Sequence, residues 1–247
     1  MRSRKMFRFS IVIAAIVAMI VAMTGCSSDD EKKTLRVMAA ASLVDVMKTF
    51  TTQYEKDHPD TTVETDTAAS SELIQRLKSG AKADVLITAD AKSMDGAVKD
   101  GLVKNPTVVA GNKLVIVVPK GNPGKVTGLD FFTKAGNRSV ICASEVPCGR
   151  AAEQAIAKAG GEPHPISRAE NVRSALGSVT SGEADAALVY ATDAASAGDR
   201  VETIQLPDAT ITQIPAAAVT GDGDAFVELL KSEQGQKIFQ EAGFGRP

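Results

Sequence analysis

Four short stretches of this chain gather small and hydroxyl-bearing residues where an apolar run gives way to a helical pattern. They are Ala39-Ala40-Ala41-Ser42-Leu43, Ala68-Ala69-Ser70-Ser71, Val146-Pro147-Cys148-Gly149 and Glu170-Asn171-Val172-Arg173. The first turn of a helix leaves its backbone N–H groups without intrahelical partners, and its dipole favours negative charge. Such junctions can therefore hold an anion. Each one alone is a weak signal, because a Ser before a helix is most often a plain N-cap. Val172 alone reads as a core residue. Tyr190, at the end of an apolar run, reads as a core aromatic with a satisfied hydroxyl. A second chemistry is nucleophilic, with Ser42 or Ser70 attacking an acyl or phosphoryl group. It lacks parts: there is no G-x-S-x-G elbow and no Walker A loop, and neither His58 nor His164 lies in a partner motif. Asp84 and Asp90 could pair as carboxylates, but turn and cap roles suit them better. Arg173 reads as a solvated or salt-bridged helix residue, and Glu170 as an acid near a helix start.

The elements that must carry these groups alternate between strand and helix. Leu35–Ala41 is apolar, and Leu43, Val46, Met47, Phe50 and Tyr54 then repeat at helical spacing. Ser42 with Asp45 three residues on has the form of a capping box. Thr61–Thr67 alternates like a strand. Leu73, Ile74 and Leu77 predict a helix begun by Ser70-Ser71 and stopped at Gly80. Strands are predicted at 85–87, 114–118, 139–142, 186–190 and 214–219. Helices are predicted around Met94–Val98, Arg150–Ala159, Val172–Val179, Phe226–Leu230 and Ile238–Ala242. The pattern implies an α/β fold with mostly parallel sheets covered on both faces. We expect two lobes, one from 34–113 plus 216–247 and the other from 114–215, with a cleft beyond the carboxyl ends of the strands.

Composition narrows the partners. The 247 residues are 44% hydrophobic and 23% charged, as in ordinary globular proteins. Aromatics total 4% and Trp is absent, which removes stacking platforms for nucleic acid. Two His and three Cys leave little for a metal cluster. Arg2, Arg4, Lys5 and Arg8 precede an unbroken apolar run from Ile11 to Met23. That run is too short to span a bilayer and reads as a signal-peptide core over residues 1–25. Gly25-Cys26 follows it, which resembles a lipobox with lipid on Cys26, and residues 26–33 read as a tether. The alternative is simple secretion. Losing residues 1–25 removes four basic and no acidic residues, taking the net charge from −2 to −6. No basic surplus remains for nucleic acid.

Seven blocks in order resemble the molybdate-binding proteins of bacterial ABC importers. They are the first and third stretches above, Ala69-Ser70-Ser71-Glu72-Leu73, Ala83–Asp90, Gly111–Val115, Glu170–Leu176 and Val189-Tyr190, and the likeness runs from about Leu35 to Phe244. It implies a two-lobed type II periplasmic-binding-protein fold and a non-catalytic receptor for molybdate or tungstate, with no cofactor and no direct metal ligand. The donors it implies are the hydroxyls and amides of Ser42 and Ser70, the amides of Cys148 and Val172, and the Tyr190 hydroxyl. It also implies a permease and its ATPase as partners, for an exported, lipid-anchored monomer. Sulfate or another oxyanion is the nearest alternative ligand; an exported serine hydrolase is a more distant one.

Cys148 departs from the small residue of better-known relatives. With Cys142 six residues upstream in an exported chain, a Cys142–Cys148 disulfide is predicted. The alternative is two buried thiols.

Overall fold

The computed structural model describes residues 32–206 and 211–247. The signal segment 1–25, Cys26 and most of the 26–33 tether lie outside the described residues. Strand β1 (Lys33–Ala40) enters the interior with Val37 and Ala39 buried. A 3-10 turn (Ala41–Leu43) leads into helix α1 (Val44–Asp57). The predicted periodicity buries Val46, Met47, Phe50 and Tyr54, and Pro59 follows the helix end. Phe50 packs its ring 4.8 Å from Phe239 and 6.4 Å from Phe226, so the C-terminal helices close over the first. These helices are α7 (Asp224–Lys231) and α8 (Glu233–Glu241).

Strand β2 (Thr61–Ala68), helix α2 (Ser70–Lys78), strand β3 (Val85–Ile87) and helix α3 (Ala91–Lys99) follow. Gly80 ends the α2 segment with φ +90°, a conformation glycine takes freely. Then comes a long strand, β4 (Thr107–Pro119). The chain continues through β5 (Ser139–Cys142), α4 (Pro147–Lys158), β6 (Ser167–Ala169), α5 (Val172–Thr180), β7 (Ala186–Tyr190), α6 (Ala191–Ala197), β8 (Val201–Gln205) and β9 (Ile211–Ala218).

The strands run in the order β2-β1-β3-β9-β4-β7-β5-β6, with β8 also on β4. Strand β4 serves two sheets. Its first half pairs with β9, from Thr107 opposite Ala216 to Lys113 opposite Ile211. Its second half pairs with β7, starting with Leu114 opposite Tyr190, and with β8. Strand β9 pairs with β3 and β4 of the first sheet. The result is a curled, mixed α/β architecture in which β4 is common to both sheets.

The sheets are more mixed than the alternation implied. The pairs β1–β3, β5–β6 and β5–β7 are parallel. The pairs that β4 and β9 make are antiparallel. Three predicted gaps hold elements. Strands β6 and β8 are largely exposed and lack an apolar signature, and α6 is a run of small residues.

Candidate functional site

All four junctions converge. Ser42, Ser70, Cys148, Val172 and Tyr190 line one pocket together with Ala40, Ala41, Ala69, Ala89, Val146, Pro147 and Asn171. Ser42 and Ser70 come from the first sheet's side, and the other three from the second's. Its volume of about 20 Å³ suits a small ion and excludes a sugar or peptide. A larger groove of about 800 Å³ lies along α4, yet none of the five residues lines it.

Helix starts supply the pocket's backbone donors. Ser70 is the first residue of α2, and Val172 the first of α5. Cys148 is the second residue of α4, after Pro147, whose ring fixes φ and which has no N–H to lose. Asn171 caps α5 by accepting from the amides of Arg173 and Ser174, at 2.9 and 3.0 Å, which leaves the Val172 amide uncapped. Gly149 lets α4 start tightly against the preceding loop. A Cβ there would meet the Ala143 carbonyl oxygen at 1.8 Å. The Sγ atoms of Cys142 and Cys148 are 2.09 Å apart, a disulfide that ties the end of β5 to the first turn of α4.

The hydroxyls are not caps. Ser42 makes no side-chain cap bond, so the capping-box expectation fails. Asp45, its supposed partner, instead takes Lys48 at 2.9 Å and Arg173 at 2.7 Å. The Lys48 ammonium, and Arg173 behind it, hold the Asp45 carboxyl below its usual range. Ser70 Oγ accepts the Ala89 amide at 3.0 Å, which leaves its hydrogen free to donate elsewhere. Ser42 Oγ is buried without a hydrogen-bond partner, and the buried Tyr190 hydroxyl has the Thr212 side chain within hydrogen-bonding reach. Burial pushes the Tyr190 phenol far up, with the charges of Asp90 and Asp193 adding to it, so it remains a protonated donor. An orphaned buried hydroxyl is uncommon, and that of Ser42 at the wall of this pocket calls for a ligand that accepts hydrogen bonds.

The lining holds no His, carboxylate, Lys or Arg. His58 stacks on Tyr54 at 4.2 Å, away from the serines, so neither Ser42 nor Ser70 has a base in the pocket. Asp84 accepts the Arg36 amide at 2.8 Å and the Thr220 hydroxyl at 2.7 Å, and so ties strands of the first sheet. Asp90 caps α3 through the Ser93 amide at 3.0 Å. It also takes Arg150 at 2.6 Å, a partner invisible in the local sequence. Glu170 accepts the Ser174 hydroxyl at 3.1 Å.

Residues 35–245 match the family model described as bacterial extracellular solute-binding protein. This chain belongs to that family. Its relatives include the molybdate-binding protein ModA of Mycobacterium tuberculosis strain H37Rv, 34% identical over 223 residues, 87% of this chain and 85% of that one. Another is the putative ABC transporter substrate-binding lipoprotein YvgL of Bacillus subtilis strain 168. It is 30% identical, covering 96% of this chain and 98% of that one. Among solved structures, the Azotobacter vinelandii periplasmic molybdate-binding protein superposes with a TM-score of 0.73 at 21% identity. The match covers 86% of this chain and 99% of that one. The sulfate-binding protein SubI of Mycobacterium tuberculosis H37Rv gives 0.76 at 19% identity, covering 86% of both chains. These two superpositions show the shared fold.

Proposed function

We propose that this solute-binding protein is the extracytoplasmic receptor of a molybdate importer, taking tungstate as well. The observation that carries the reading is the buried, partnerless hydroxyl of Ser42 at the wall of an uncharged pocket that is ringed by helix starts and also lined by Tyr190. The donors are the hydroxyls of Ser42, Ser70 and Tyr190 with the amides of Ser42, Ser70, Cys148 and Val172. Molybdate is a full dianion near neutral pH and accepts at every oxygen. Phosphate keeps a proton there and asks for an acceptor, and no carboxylate lines the wall. Hydrogen bonds from neutral donors to a buried anion are strong enough to hold it without a counterion. The names of the relatives support the ligand.

The lobes part at Lys113–Leu114 and ahead of Ile211, and close by hinge motion on the ion. The closed receptor then docks on a membrane permease driven by its ATPase. Cleavage before Cys26 and lipid on its sulfur would tether a monomer to the outer face of the membrane; YvgL carries the word lipoprotein in its name. The protein performs no reaction in this reading. Sulfate is the second reading, supported by the likeness to SubI.

Calorimetric titration of residues 27–247 with molybdate, tungstate, sulfate and phosphate tests it. Tight one-to-one binding of molybdate and tungstate, with little heat from the others, is expected. A preference for sulfate would keep the receptor and change its cargo. Silence with all four would remove the proposed site.

A further inference from the structure

We infer that Arg150 and Arg173 are positioning residues, two interlobe clasps that set how long the ion is held without touching it. This inference rests on the oxyanion reading above. Arg150 belongs to α4 of the second lobe. Its Nη2 donates to Asp90 Oδ2 at 2.6 Å and to Ser93 Oγ at 2.8 Å, and its Nε reaches the same carboxylate oxygen at 2.9 Å. Asp90 and Ser93 belong to the first lobe. A bond from Nη1 to the Glu145 carbonyl, at 2.5 Å, braces the guanidinium within its own lobe. Arg173, the second residue of α5 in the second lobe, repeats the arrangement. Its Nη2 donates to Asp45 of the first lobe at 2.7 Å, while Ser196 Oγ and Asp193 hold the rest of the group at 2.8 Å each.

The placement in the chain gives these pairs their meaning. Arg150 lies two residues after Cys148, and Asp90 directly follows Ala89, whose amide is bonded to Ser70 Oγ. Arg173 directly follows Val172, and Asp45 lies three residues after Ser42. Each clasp therefore joins a donor of one lobe to a donor of the other. Making it assembles the pocket, and breaking it pulls the donors apart. The acids also neutralise the arginines, which keeps the ring of donors uncharged.

The two clasps differ in strength. The Arg150 and Asp90 side chains are 16% and 14% exposed, so their pair is mostly shielded from water. Arg173 and Asp45 are 27% and 47% exposed, and an exposed pair contributes little. Removing one member of a shielded interface pair acts mainly on dissociation.

The test uses the lipid-free chain, residues 27–247, with radiolabelled molybdate and a chase of unlabelled ion. Asp90→Asn keeps the helix cap and removes the charge. We expect dissociation about tenfold faster, with association within about threefold of wild type. Asp45→Asn should speed dissociation no more than about threefold. Arg150→Gln should match Asp90→Asn, and the double variant should be no worse than either single one. A merely structural role would lower association as well, and its effects would add. A wild-type chain that binds molybdate, with dissociation unchanged in Asp90→Asn and Arg150→Gln, overturns the clasps and leaves the receptor reading standing. A wild-type chain that does not bind overturns the receptor reading. X-ray scattering of the ion-free chain then decides the clasps: a larger radius of gyration in Asp90→Asn supports them, and an unchanged radius overturns them.

Discussion

Each hydroxyl in the pocket can be weighed one atom at a time. Ser42→Ala and Ser70→Ala should each weaken molybdate binding by about 1.5–3 kcal/mol, the usual worth of a bond to a charged group. Tyr190→Phe should fall in the same range, since the ring stays and only the donor goes. Calorimetry of the three variants checks all of these, and unchanged affinity in each would remove the site. Asp193 makes a separate prediction. It is fully buried, and burial pushes its carboxyl up to about 7 from 3.8, with Arg173 opposing. Because the folded value lies above the unfolded one, its contribution to stability is complete below about 3.8 and is lost as pH rises through about 7. Thermal unfolding from pH 4 to 8 should show this fall, and Asp193→Asn should flatten it. The sequence made the five pocket residues legible through a family likeness, not through spacing. Read alone, Ser42 was a cap and Tyr190 a satisfied core aromatic. Only the three-dimensional partners show that Ser42 is not a cap, and that Tyr190, buried as a core aromatic, also lines the pocket.

At the scale of elements, the first turn of α4 is the most constrained piece of the pocket. It is fixed by Pro147, by the Cys142–Cys148 bridge and by the close approach of Gly149 to Ala143. Gly149→Ala cannot be accommodated without moving that turn. It should cost at least about 2 kcal/mol of stability, in the range of overpacked sites, and weaken binding through the displaced Cys148 amide. Denaturant unfolding and calorimetry on the same sample check both effects. Reducing the bridge should cost about 2 kcal/mol by loop entropy. Peptide masses before and after reduction show whether the bridge is present in the isolated protein. Elements with strong apolar patterns were legible, including α1 by its 3.6-residue repeat and β7 by its continuous burial. Those without such a pattern were not. Strand β6 exposes two of its three residues, and α6 is built of Ala, Thr, Asp and Ser. The first half of β4, which contains Gly111 and Asn112, has a weak strand signature, yet it pairs with β9 through a register shift between Val108 and Ala110.

At the scale of the molecule, one continuous strand joins the two sheets. Strand β4 belongs to both sheets, with its change of partner between Lys113 and Leu114. Beside that point, Asn112 donates to Thr192 at 2.8 Å across the junction. The alternation of strands and helices announced an α/β chain. It could not announce that β4 and β9 run against their neighbours, because direction depends on which sheet a strand returns to.

The uncharged wall of the pocket has a last consequence, for how the ion arrives. Most anion-binding proteins draw their ligand in with a basic field, and salt slows them. Here every arginine near the pocket is already paired, and the chain without residues 1–25 carries a net charge of −6. A dianion drifting towards such a surface is screened beyond the Debye length, about 8 Å at physiological salt, and repelled within it. Added salt should therefore leave the capture rate unchanged or raise it, the reverse of an electrostatically steered receptor.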